Sequence, residues 1–299
     1  MKRGKNKLPL IMLLIAVVIA GVYLAGHHAF GAAETEQIKA FFHGSSVGMS
    51  AGDPSDTPRA CTIPVRLADI RDTHLLELVN LDYPVPDEPD EDLVVPAFHV
   101  VPLATADITL RGEALEAVKA MFAGAQEAGF DDLFVSSGYR TADKQKQLYD
   151  AAADKSYVQP PGHSEHQLGL AVDIMANGIG QAGMASSPEG QWLAQNAWRY
   201  GFLLRYPADK AGVTGISYEP WHFRYVGQPH ARYCYEHGLC FEEYIQFLRD
   251  SGGYTLTLDG ETYSVFYETP QNGIIDLPAD GVFNISDDNT GGYIVTAWG

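Results

Sequence analysis

Residues Leu168 to Ile174 read Leu-Gly-Leu-Ala-Val-Asp-Ile. Successive side chains of a strand point to opposite faces, so this spacing predicts a strand with Leu168, Leu170, Val172 and Ile174 on one face and Gly169, Ala171 and Asp173 on the other. The second face is almost bare of side chain until it reaches a carboxylate. A strand that buries one side and keeps Gly and Ala beside an Asp leaves room, as a metal and a substrate backbone require. The plainer alternative is that Asp173 caps the turn Ala176-Asn177-Gly178. A second segment, Glu219-Pro220-Trp221-His222-Phe223-Arg224-Tyr225-Val226, also alternates. Trp221, Phe223 and Tyr225 share one face, His222 and Arg224 share the other, and Glu219 is held just upstream by the fixed φ of Pro220.

Further β-type runs, Leu133 to Val135 and Phe202 to Tyr206, are interleaved with helical patterns. Leu115, Val118, Phe122 and Ala125 recur at helical spacing and Gly129 stands where the helix stops. Thr141 is a cap for a helix with the stripe Gln145, Leu148, Tyr149 and Ala152. Ser187 and Pro188 open a third helix, expected to bury Trp192 and Trp198 and to end at Gly201. Pro229 opens a fourth that ends near Gly238, and Phe241 to Arg249 form a fifth. Helices and strands mix without steady βα alternation, which is the pattern of an α+β domain. After Gly252-Gly253 the composition turns β: Tyr254 to Leu258, Asp259-Gly260 and Glu261 to Tyr267 predict a type I′ hairpin, with further strands at Ile274-Ile275 and Gly292 to Val295. These last residues, 251–299, read as a small all-β appendage.

The N-terminus carries a different signal. Lys2, Arg3, Lys5 and Lys7 precede an uncharged apolar run, Leu8 to Gly26, close to the ~20 residues that cross a bilayer as a helix. Residues 1–30 are therefore expected to be a cytoplasmic tip and transmembrane anchor, which the length of the run favours over a signal peptide cut near Gly31-Ala32-Ala33. In either case the body lies outside the cytoplasm, in the membrane-anchored form on the outer face of the cell membrane and in the cleaved form secreted. Residues 31–60 are rich in Gly, Ser, Asp and Pro and read as a stalk. Its Gly44 to Gly48 matches Gly-x-Ser-x-Gly, but no strand precedes it, so the serine-hydrolase elbow is set aside. The net charge of −18, from 20 basic and 38 acidic residues, excludes general nucleic-acid binding, which depends on basic residues neutralising phosphate. Cys61, Cys234 and Cys240 lack Cys-x-x-Cys spacing and are read as structural.

The remaining chemistry lies in Ser136-Ser137-Gly138-Tyr139-Arg140, where Arg140 near a helix start suits a carboxylate or a developing oxyanion, or is simply a surface charge. Two imidazoles and a carboxylate make a three-ligand zinc site with one position open to water, and a further carboxylate near that water serves as general base. The His-Glu-x-x-His helix of common zinc proteases is absent.

Taken together, Ser-Gly-Tyr-Arg, Ser-x-His-x-x-Gly-x-Ala-x-Asp (Ser164 to Asp173) and Glu-Pro-Trp-His (Glu219 to His222) resemble the VanY-type zinc D-alanyl-D-alanine carboxypeptidases, within the group that includes lysostaphin and the hedgehog signalling domain. Leu78 to Pro84 is similar to the segment that opens that domain, so the resemblance spans about residues 62–250 and implies a zinc carboxypeptidase domain over 61–250. It implies a small, mostly antiparallel sheet with flanking helices around one Zn2+ per chain. It also implies His166, Asp173 and His222 as zinc ligands, Glu219 as catalytic base, Arg140 as the group that polarises the scissile carbonyl, and Ser164 and Gln145 as contacts to the terminal D-alanine or the stem. His163 occupies a position the motif leaves open, beside the site, and His230 is read as structural. The implied partner is a peptidoglycan stem peptide, with the membrane as a second partner through the N-terminal helix. A D,D-carboxypeptidase removes the fifth stem residue; an L,D-carboxypeptidase with the same motifs removes the fourth. A non-catalytic cell-wall-binding module on the same fold is the rival from another class, and the Ser-x-x-Lys signature of serine D,D-peptidases occurs nowhere in the chain.

Overall fold

The computed structural model describes residues 62–86 and 94–299. The expected anchor, the stalk and Cys61 lie outside these residues, and among the described residues no helix is long and apolar enough to cross a membrane. In chain order the strands are β1 (Thr62–Arg66), β2 (Val94–Pro96), β3 (Thr109–Arg111), β4 (Leu133–Ser137), β5 (Ala171–Ala176), β6 (Phe202–Leu204), β7 (His222–Tyr225), β8 (Gly253–Leu258), β9 (Glu261–Glu268), β10 (Ile274–Pro278), β11 (Val282–Asp287) and β12 (Tyr293–Trp298). The longer helices are α1 (Gly112–Glu127), α2 (Ala142–Ala151), α3 (Pro188–Asn196), α4 (Gln228–His237) and α5 (Phe241–Ser251).

The site is built on a four-stranded sheet of order β4-β5-β7-β6, antiparallel at each pairing. Its apolar side buries Val135, Val172, Ile174, Phe202 and Phe223 against Val118 and Met121 of α1 and Leu193 of α3. In α1 the buried line runs Ala114, Val118, Met121 and Ala125, at the i+3/i+4 spacing of one helical face. Phe122, expected on that line, is half-buried at its edge. The Thr141 and Ser187 hydroxyls cap α2 and α3 as expected, accepting from the backbone N–H of Lys144 and Gly190.

Two expectations need correction. β5 begins at Ala171, because Glu165–Leu168 wind into a turn of 3-10 helix that ends on Gly169 at φ 70°. Leu168 and Leu170 therefore leave the sheet core and pack with Val79 and Ala114. Likewise α3 passes into a 3-10 turn at Ala197–Tyr200, which changes the side-chain period; Leu193 and Ala197 are buried while Trp192 and Trp198 stay half-buried. Cys234 and Cys240 are buried free thiols.

The C-terminal region is all β, with its hairpin turning on Asp259 and Gly260, both at positive φ. It is not set apart from the rest. β10 pairs with β1, whereas β11, β12, β9 and β8 form a second four-stranded sheet. Tyr254, Val265 and Ile294 of this sheet share one core with Leu76, Leu78, Phe241, Tyr244 and Leu248. Removing so much buried apolar surface exposes the face of α5, so residues 253–298 are part of the body's packing.

Candidate active site

Antiparallel register alone brings the first two candidate ligands together. Asp173 of β5 stands opposite His222 of β7 on one side and Ser137 of β4 on the other, where a bulge between Val135 and Ser137 shifts the pairing. His166 arrives from the 3-10 turn that interrupts the expected strand. The three side chains are buried, and one ligand atom of each lies within 4.8 Å of the others.

Hydrogen bonding fixes which nitrogen His166 offers, and ring orientation which nitrogen of His222 faces the site. His166 Nδ1 donates to the Gly138 carbonyl at 2.7 Å, so its Nε2 carries the lone pair and faces Asp173 Oδ1 at 3.4 Å. His222 is turned the other way: its Nδ1 lies 3.0 Å from Asp173 Oδ1 and 3.8 Å from Glu219 Oε2. The rings meet edge to face, 4.9 Å between centroids. Two imidazole nitrogens and a carboxylate oxygen, converging in a buried pocket, are the donor set of a catalytic zinc centre, and these residues fit it.

Around this set the other sequence-singled residues close in. The Arg140 backbone N–H donates to the His166 carbonyl at 3.1 Å. Its guanidinium donates from Nη2 to Asp173 Oδ2 at 2.8 Å, from Nε to Ser137 Oγ at 2.9 Å and from Nη1 to Gln145 Oε1 at 3.3 Å. Gln145 is anchored in turn, its Nε2 donating to the Gln159 carbonyl at 2.7 Å. Glu219 sits in the turn before β7: its carbonyl accepts from the His222 N–H, and its own N–H donates to Tyr206. Burial, reinforced by Asp173 and opposed by His222 and Arg140, pushes its carboxyl up to about 8. For Asp173 burial works against ionisation, yet the His166, His222 and Arg140 beside it hold its carboxyl well below the usual range. One side-chain carboxyl of the pair is thus biased toward carrying a proton and the other toward charge, a separation suited to acid–base work.

All seven side chains, His166, Asp173, His222, Glu219, Arg140, Gln145 and Ser164, line one open cleft of about 720 Å³. Ser164 precedes the 3-10 turn without capping it. Tyr157 and Trp221, with rings 6.4 Å apart, form an aromatic wall. His163 does not line the cleft; its Nδ1 hydrogen-bonds the Asn80 carbonyl at 2.7 Å. His230 is buried between the Tyr244 hydroxyl and Thr296 Oγ1.

Sequence reasoning missed a group behind the site: Glu165, Arg205 and Glu242, joined to Arg224. Arg224 was legible as a face-mate of His222, but nothing in local spacing marks the other three.

Comparison with known proteins places this geometry. Residues 107–228 match the family model described as VanY, D-alanyl-D-alanine carboxypeptidase. A D-alanyl-D-alanine carboxypeptidase of Enterococcus faecium is 37% identical over 230 residues, covering 75% of each chain. Among solved structures, the vancomycin-resistance D,D-dipeptidase VanXYg, in complex with a D-Ala-D-Ala phosphinate analog, matches 80% of this chain and 99% of its own with TM-score 0.69 and 30% identity. The LdcB LD-carboxypeptidase matches 57% of this chain and 86% of its own with TM-score 0.52 and 36% identity. With three-quarters of a full-length relative aligned at this identity, and the three motifs folded into one cleft, the chain belongs to the VanY family of D-alanyl-D-alanine carboxypeptidases.

Proposed function

We propose that this protein is a zinc-dependent D,D-carboxypeptidase that removes the C-terminal D-alanine from peptidoglycan stem peptides. The observation that carries the reading is the convergence of His166 Nε2, Asp173 Oδ1 and His222 Nδ1 on one point, with Glu219 beside it. A zinc ion held by these three residues supplies Lewis-acid polarisation and lowers the pKa of water.

The remaining steps belong to the chain. Glu219 accepts the proton of the attacking water and returns it to the departing amine of D-alanine, a transfer served by a carboxyl that burial makes readier to hold a proton. Arg140, held by Ser137 and Asp173, keeps N–H groups facing the cleft for the oxygen that gains charge. Gln145 and Ser164 are placed for the free carboxylate of the last residue. A cleft of about 720 Å³ has room for more than a dipeptide, and the Tyr157–Trp221 wall gives the preceding stem residues an apolar surface.

The D,D reading is preferred to the L,D alternative because the relative aligned over three-quarters of both chains carries that name. An intact donor set with Glu219 in place argues against a non-catalytic wall-binding module. The same reading puts the body outside the cytoplasm, where stem peptides lie, on an anchor formed by Leu8 to Gly26.

Mass spectrometry of muropeptides incubated with the protein, with and without a chelator, tests this. Loss of one alanine from pentapeptides, abolished by chelation and restored by zinc, is expected. Cleavage of tetrapeptides alone moves the assignment to the L,D class, and binding of muropeptides with no cleavage moves it to the binding module.

A further inference from the structure

Glu165, next to the metal-site residue His166 in sequence, points away from the cleft into the body. It is 1% exposed, and a carboxylate is kept there only when its charge is matched. Its Oε1 accepts from Arg205 Nε at 2.8 Å and from Arg224 Nη1 at 3.0 Å. Both guanidiniums are themselves anchored. Arg205 donates from Nη1 and Nη2 to the two oxygens of Glu242 at 2.8 and 2.7 Å. Arg224 Nη2 donates to the carbonyls of Leu75 and Glu77 at 2.9 and 3.2 Å. The network contains two carboxylates and two guanidiniums, so it balances its own charge.

One oxygen is left over. Glu165 Oε2 is buried without a hydrogen bond of normal length, and so is His222 Nε2; the two atoms face each other 3.7 Å apart. A carboxylate pinned between two guanidiniums can only accept. On its other side the ring meets a second acceptor, Asp173 Oδ1, 3.0 Å from Nδ1; where Nδ1 and Asp173 share a metal, the single ring proton is left to Nε2, on the side of Glu165.

We infer that Glu165 is a positioning residue for the metal centre: braced by Arg205, Arg224 and Glu242, it holds His222 in the tautomer and ring orientation that present Nδ1 to the metal. The inference rests on the metal-site reading above and adds a residue outside the cleft that the bound substrate never meets. It explains why so costly a buried charge cluster sits behind this ligand. His166, by contrast, is oriented by a neutral carbonyl, Gly138; the two imidazoles are held by acceptors of different charge.

The test uses full-length protein labelled with 15N at histidine and loaded with zinc. Long-range 1H–15N correlation is expected to show His222 protonated at Nε2 and metal-shifted at Nδ1, with the Nε2 proton exchanging slowly with water. Glu165→Gln is expected to lower zinc affinity about 10- to 100-fold in competition with a chromophoric chelator, the range found for outer partners of metal-ligating histidines. A His222 proton on Nδ1, or a folded Glu165→Gln protein with unchanged zinc affinity, overturns the inference. Should that variant fail to fold, Glu165→Asp, which keeps the charge and shortens the reach to His222 Nε2, takes its place, and unchanged zinc affinity there equally overturns the inference. A wild-type protein that takes up no zinc overturns the metal-site reading instead, so the two failures are distinguishable.

Discussion

Arg140 and Asp173 divide one carboxylate between two tasks: Asp173 Oδ2 accepts from Arg140 Nη2 at 2.8 Å, and Oδ1 is left to the two imidazoles. The arginine therefore orients a metal ligand and faces the cleft with its remaining donors. Arg140→Lys keeps a positive charge but loses the planar fork. We expect kcat/KM for D-alanine release to fall about 100- to 1,000-fold, the loss typical of removing an oxyanion donor. A variant within a few-fold of wild type would remove Arg140 from the chemistry.

Glu219→Gln retains the shape of the side chain and loses the base. Proton transfer by a positioned side chain contributes about 10²- to 10⁴-fold, so turnover is expected to drop by that factor while metal analysis still finds one zinc per chain. Undiminished D-alanine release from the variant would end its role as base.

Gly138 is required by close approach rather than by its backbone angles. An added Cβ would collide with the Thr109 carbonyl and come within 3.0 Å of Ile108 Cγ2 and 3.1 Å of Leu110 Cδ2. Gly138→Ala should cost about 1–3 kcal/mol from overpacking, read as a lower urea midpoint. Because the Gly138 carbonyl holds His166, zinc affinity should weaken in the same variant. Unchanged values on both counts would show that β3 yields freely.

Burial alone holds His230 at about 3, below the ordinary 6.5. A folded-state pKa below the unfolded one means that the unfolded chain binds the extra proton first, so stability falls as pH drops from 6.5 toward 3. Between pH 7 and pH 5 this amounts to about 2 kcal/mol, at about 1.4 kcal/mol per pH unit within the window. Urea denaturation at the two pH values should show this drop in wild type and a drop smaller by that amount in His230→Gln. Equal drops would assign the acid sensitivity to other groups.

The features legible from the chain are those written locally. The alternation of Trp221 to Tyr225 gave β7 and its polar face, the Thr141 and Ser187 hydroxyls gave helix starts, and Asp259-Gly260 gave the hairpin. β5 was placed three residues early because Gly169 breaks an alternation that continues on paper through Leu168 and Leu170. The motif residues were picked out by family resemblance, while the brace behind them was invisible: Glu165, Arg205 and Glu242 meet across 40 and 37 residues of chain, and no periodicity encodes such a meeting. The pairing of β1 with β10 leaves no trace in either segment for the same reason.

That last pairing also sets a clock. The segment 62–78 is held by partners near the other end of the chain, as when Thr73 Oγ1 donates to the Ile285 carbonyl 212 residues later. At about 5–20 residues synthesised per second, the early segment waits roughly 10–40 s for its partner. Leu76 and Leu78 stay only partly covered meanwhile, since Tyr254, Val265 and Ile294, which complete the core they share with Phe241, Tyr244 and Leu248, are not yet made. The protein therefore completes its fold only after synthesis of its final strands, and a chain stalled or clipped before β8 presents an unfinished, aggregation-prone surface however intact its catalytic motifs.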